Sequence, residues 1–86
     1  MPRSQFTLDE LRTVLREAAG TDEGVDLDGD IIDVSFDALG YESLALLETA
    51  SRIERDHGIS LDEEALVAAK TPRELIDLVN AHLAAA

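Results

Sequence analysis

Leucine, valine, isoleucine and alanine recur at three- and four-residue steps in three stretches of this chain, and each stretch carries its own start or stop signal. In the first, Leu8, Leu11, Val14, Leu15 and Ala18 fall on one helical face. Thr7 and Glu10 have capping-box spacing, Phe6 and Leu11 occupy hydrophobic-staple positions, and Gly20 suits the C-terminal cap. The second helix is expected from about Ser43 to His57, with Leu46, Ala50, Ile53 and His57 facing inward and Gly58 closing it. Leu44, Leu47, Glu48 and Ser51 lie on another side, adjacent to Ser43 by i+4 spacing, so both leucines are expected to be exposed. After a short extended link flanked by Ile59 and Leu61, Asp62-Glu63-Glu64 opens a brief third helix through Ala68, to which Leu66 and Val67 give apolar surface. Thr71-Pro72-Arg73-Glu74 combines an N-cap, a proline at the first helical position and a capping-box glutamate. Leu75, Ile76, Leu78, Val79 and Leu83 supply the buried face of that last helix.

Residues 20–42 break the helical period. This long connection is rich in Gly and Asp yet contains Val25, Leu27, Ile31, Ile32, Val34 and Phe36, too many apolar residues for a solvated linker. It is expected to be pinned over the core, with a helical turn at Asp37-Ala38-Leu39. Partial alternation at Ile31–Phe36 invites a strand, but one strand without a partner leaves its backbone unsatisfied. The pattern therefore predicts an all-α fold: one domain over residues 1–86, a small four-helix bundle of three main helices and a short third one, with a long first loop.

Composition narrows what such a bundle can do. Eighty-six residues bury roughly 60–65% of the unfolded surface, enough for a core of modest stability. With no cysteine, neither disulfides nor a thiolate zinc site can support it. Phe6, Phe36 and Tyr41 are the only aromatics, so the core is aliphatic and repacks readily. The formal net charge is −12, and between Glu17 and Ser51 there are ten acids and no Lys or Arg. Such a surface repels nucleic acid and anionic membranes and attracts basic protein surfaces. Without an apolar leader or a run of membrane-spanning length, the expectation is a soluble cytoplasmic protein.

The candidate chemistry centres on Gly40-Tyr41-Glu42-Ser43-Leu44. Ser43 stands where the acidic loop ends and the second helix begins, near free backbone N–H groups and the positive end of the helix dipole. A serine is favoured there simply as a cap, and no base nearby makes it a nucleophile in its own right. A hydroxyl so placed suits modification by another protein. The five residues resemble the Gly-x-Asp-Ser-Leu signature of acyl carrier proteins, and the order of helices and loop resembles that family over nearly the whole chain. Phe36-Asp37-Ala38-Leu39-Gly40-Tyr41-Glu42-Ser43-Leu44-Ala45-Leu46-Leu47-Glu48 and Thr71-Pro72-Arg73-Glu74-Leu75-Ile76-Asp77-Leu78 look most like the free-standing carriers of bacterial aromatic (type II) polyketide synthases. Two positions depart from the family: Glu42 stands where Asp is usual, and Arg55 where many carriers have an acid. Tyr41-Glu42 is unlike peptidyl carriers, and Ala45 is unlike fatty-acid carriers.

The resemblance implies a monomeric, non-catalytic subunit. Its Ser43 receives 4′-phosphopantetheine from coenzyme A through a phosphopantetheinyl transferase, and the starter, extender or growing polyketide chain is then held as a thioester. Expected partners are an acyl loader, a ketosynthase with its chain-length factor, and ketoreductase and cyclases. Gly40, Tyr41, Glu42, Leu44, Leu47 and Glu48 are the residues expected to meet them. The aliphatic core further suggests that attached chains shelter in a cleft bordered by the second helix, the third helix and the long loop.

Other readings of the residues are weaker. An acidic interaction module without a prosthetic group uses Ser43 merely as a cap, and a fatty-acid carrier remains an alternative pathway. Asp26-Leu27-Asp28-Gly29-Asp30 resembles a calcium loop, but the sixth and twelfth places hold Ile31 and Asp37 instead of Gly and Glu. His57, expected at the core edge, and His82, expected on the surface, share no feature as metal ligands, and no architecture supports a Ser-His-Asp hydrolase. Glu48 and Glu54 either contact partners or solvate the second helix, and Glu48 alone lies near Ser43.

Overall fold

Capping side chains mark the starts of three of the four described helices. The computed structural model describes residues 5–18 and 29–85, which form α1 (Leu8–Ala18), α2 (Ser43–His57), α3 (Glu63–Ala68) and α4 (Pro72–Ala85). Gly20, Val25, Leu27 and the first three residues of the Asp-rich stretch lie outside the described residues. α1 packs on α2 and α4, and α3 packs on α2.

At the start of α1 the Glu10 N–H donates to Thr7 Oγ1 (3.2 Å), and Phe6 and Leu11 are buried together as a staple. Only half of the expected capping box forms. The Glu10 carboxylate lies 2.6 Å from His57 Nε2 and so ties α1 to the far end of α2. The His57 ring also meets Phe6 edge-on, 5.7 Å between centroids, which places it at the core edge as expected.

α2 begins one residue earlier than a serine cap requires. Glu42 occupies the N-cap with extended backbone (φ −86°, ψ 171°) and makes no side-chain cap bond, which leaves Ser43 as the first helical residue. The other end closes at Gly58, whose φ of 67° is left-handed and whose N–H donates to the Glu54 carbonyl. Ala50 and Ile53 are buried, joined by Thr49, whose hydroxyl donates to the Ala45 carbonyl (2.9 Å). Leu46 is half-buried, and so is Leu47, contrary to expectation. A leucine i+4 from an exposed helix start already turns toward α3.

α3 is capped by Asp62, which accepts from the Glu64 N–H (3.3 Å). One short helix offers the core a single face: Leu66 is buried, whereas Val67, one residue on, is 57% exposed. In α4 the Glu74 N–H donates to Thr71 Oγ1 (3.3 Å), and the Glu74 carboxylate accepts from the Lys70 N–H (3.2 Å), one residue further out than the box motif implies. Leu75 and Val79 are buried. His82 is half-buried, not superficial, with Nδ1 3.0 Å from the Leu78 carbonyl.

The described part of the long loop is pinned, as its apolar residues require. Ile31, Phe36, Leu39 and Tyr41 are buried, and Ile32 and Val34 are half-buried. Two backbone bonds replace strand pairing: the Phe36 N–H donates to the Lys70 carbonyl, and the Arg73 N–H to the Ile32 carbonyl (2.9 Å each). A helical turn follows, with the Leu39 N–H donating to the Ser35 and Phe36 carbonyls (3.1 Å each). No strand occurs among the described residues. The N-terminal approach to α1 is fixed by Asn80, whose side chain accepts from the Phe6 N–H (2.8 Å) and donates to the Phe6 carbonyl (3.0 Å).

Candidate functional site

The turn that ends the loop sets the position of Ser43. Gly40 has φ 86°, a left-handed conformation that side chains rarely adopt, and its N–H donates to the Asp37 carbonyl (3.0 Å). The chain then doubles back so that the Tyr41 N–H reaches the Phe36 carbonyl (2.9 Å). Tyr41 is only 6% exposed, so its ring is a buried anchor for the turn and not the contact surface expected of it. Glu42 and Ser43 follow on the outside, both exposed.

Three features of Ser43 bear on its chemistry. Its hydroxyl sits at the first position of a 15-residue helix. The first-turn N–H groups receive no side-chain cap from Glu42, and no acid occupies that turn, so the helix start retains its positive end for an anion. The half-buried His57 lies at the opposite end of α2, about 21 Å along the helix axis. Among the described residues no carboxylate or imidazole is hydrogen-bonded to the Ser43 hydroxyl, although Asp37 and Glu63 line the same groove. These features fit a phosphodiester on Ser43.

Beside Ser43 opens a groove of about 530 Å³, within the roughly 300–1,000 Å³ range of small-molecule pockets. Phe36 and Tyr41 from the loop, Leu46 and Leu47 from α2, and Leu66 and Val67 from α3 give it apolar walls. Ser35, Asp37, Glu63 and Lys70 join Ser43 as its polar lining. The groove thus lies between the elements expected to border a cleft. Leu44, 68% exposed, and the exposed Glu48 stay on the outer face of α2. The residues named from the sequence therefore divide. Gly40 and Tyr41 shape the turn, Leu47 faces the groove, and Glu42, Leu44 and Glu48 remain on the surface.

Glu54 is half-buried, and its carboxylate accepts from the Leu61 N–H (2.7 Å), which fixes the α2–α3 link. Arg73 grips Asp33 with two bonds, Nε–Oδ1 2.7 Å and Nη2–Oδ2 3.2 Å. That hydrogen bonding holds the Asp33 carboxyl below the usual carboxylate range and raises Arg73 in return. Sequence reasoning passed over Lys70 and Ser35, which reach the groove from the α3–α4 link and the loop. The one available signal was that Lys70 is the single lysine of an acid-rich chain. Among the described residues no cluster of His, Cys, Asp and Glu is suited to a metal, and no helix is long and apolar enough to cross a membrane.

A four-helix bundle that presents an exposed hydroxyl at the lip of a largely apolar groove has the form of a carrier. The comparisons give that class its family: residues 9–79 match the phosphopantetheine attachment site family, and the chain belongs to it. It is 58% identical over 81 residues to the oxytetracycline polyketide synthase acyl carrier protein of Streptomyces rimosus, covering 94% of this chain and 85% of the relative. Identity to the monensin polyketide synthase acyl carrier protein of Streptomyces virginiae is 62% over 81 residues, covering 94% and 91%. Among solved structures, the actinorhodin holo acyl carrier protein from S. coelicolor superposes with a TM-score of 0.84 at 46% identity, covering 99% of each chain. The prosthetic group of this family is phosphopantetheine.

Proposed function

We propose that this chain is the acyl carrier subunit of a polyketide synthase and that Ser43 is its attachment point. The exposure of Ser43 at an uncapped helix start, on the lip of the groove, carries the assignment. In loading, Ser43 Oγ attacks the phosphate of coenzyme A that bears the pantetheine. The new P–O bond replaces the pyrophosphate linkage, adenosine 3′,5′-bisphosphate leaves, and the serine proton passes to a base on the transferase. The attached arm supplies a thiol that holds acyl groups as thioesters.

What this chain contributes is placement. The turn at Gly40 and the buried Tyr41 hold the hydroxyl outward, the first turn of α2 favours the phosphate charge, and the apolar groove offers cover to a tethered chain. Beyond accepting the arm at Ser43 the chain performs no chemistry; catalysis belongs to partner enzymes, and the carrier raises their effective substrate concentration. By relation to the polyketide carriers, the partners are a transferase, an acyl loader, a ketosynthase with its chain-length factor, and ketoreductase and cyclases. Glu42, Leu44 and Glu48 are the exposed surface they meet, and contacts of this exposed, charged kind are weak enough for the carrier to move on.

Reconstitution tests the function. Mixed with a transferase, an acyl loader and a type II ketosynthase–chain-length factor pair, the wild-type chain supports polyketide formation and Ser43→Ala does not. Equal product from both would overturn the assignment.

A further inference from the structure

Lys70 is the single lysine of the sequence and the one basic residue among those that line the groove. Its backbone is fixed on both sides: its N–H donates to Glu74 Oε1 (3.2 Å) and its carbonyl accepts from Phe36 (2.9 Å). The residue is exposed, and its ammonium forms no ion pair among the described residues. Asp37 and Glu63 line the same groove, within a chain of net charge −12. A neutral acyl chain is indifferent to those charges. A chain ending in a carboxylate is repelled by both acids, and Lys70 is the one lining group that offsets them.

The geometry points to Lys70 as the specificity-determining residue of the groove, the group that lets a carboxylate-bearing acyl cargo on Ser43 lie in it. The inference rests on Ser43 as the attachment point and goes beyond it, because it assigns charge selectivity to a residue 27 positions away in sequence. The strength expected is that of an exposed charge pair in water, enough to shift where the cargo lies but not to immobilise it.

The test compares two cargoes of similar length, malonyl and butyryl. Each is loaded directly from its coenzyme A thioester by a promiscuous transferase onto wild type, Lys70→Arg and Lys70→Met. Intact mass confirms loading, and amide and methyl shifts of Leu46, Leu66 and Val67 read groove occupancy. In wild type and Lys70→Arg both cargoes shift these signals. In Lys70→Met the malonyl shifts fall roughly two- to five-fold, the scale of one exposed ion pair, while the butyryl shifts persist and show that the groove is intact. Malonyl shifts that are absent from wild type, or unchanged in Lys70→Met, overturn the inference and leave the carrier assignment standing. Failure to load at all overturns the carrier assignment and this inference with it.

Discussion

Ser43 owes its freedom to the residue before it. Glu42 takes the N-cap position but makes no cap bond, one methylene too long for the Asp or Asn geometry that satisfies first-turn N–H groups. The serine thus escapes the capping role that its residue type favours. Glu42→Asp is expected to add such a bond and stabilise the fold by about 0.5–1 kcal/mol, a rise of roughly 2–8 °C in Tm for a domain of this size. Calorimetry of the two proteins checks it, and an unchanged Tm would mean that the helix start is satisfied in another way. A second residue-scale expectation concerns Asp33. Arg73 depresses its folded pKa, so the pair's stabilisation is complete above the unfolded carboxylate value and is lost as pH falls through the lower, folded one. Arg73→Met should return Asp33 toward the ordinary range and shrink that acid-side loss, as read by carboxyl NMR titration.

At the scale of elements, capping chemistry carried most of the legible information. Thr7, Gly58 and Thr71 each marked a helix end from the sequence, because a cap is a local event within a few residues. Polar residues that face inward were not legible. Glu54 and Asn80 look like any solvated helix residue until a backbone group outside their own helix becomes their partner: Leu61 for Glu54, and Phe6 for Asn80, 74 positions away. Thr49 bonds within its own helix, to Ala45, and only the packing around it reveals its burial. The same limit explains Tyr41 and Leu47. Their neighbourhood to Ser43 was visible in the spacing, but which way each faced depended on the turn at Gly40 and on the packing of α3. Lys70 entered the groove for similar reasons, through bonds that join the α3–α4 link to the loop. Asn80→Ala is expected to cost about 1–3 kcal/mol, since it strips two hydrogen bonds from a backbone otherwise held near a buried Phe6. Denaturant unfolding measures this, and a cost near zero would show that water replaces the side chain.

The whole molecule combines a mostly aliphatic interior, in which all three aromatics are also buried, a strongly negative exterior and a groove whose lip holds the serine. The interior and the loop give cover, the charge draws basic partner surfaces, and the exposed start of α2 gives those partners a hydroxyl to modify. None of these parts works as a carrier alone, and all converge on Ser43. The most direct test is the intact mass of the purified chain after incubation with coenzyme A, magnesium and a phosphopantetheinyl transferase. The account predicts that wild type gains the mass of one phosphopantetheine and that Ser43→Ala gains none; an unmodified wild type, or a gain that persists in Ser43→Ala, would contradict it.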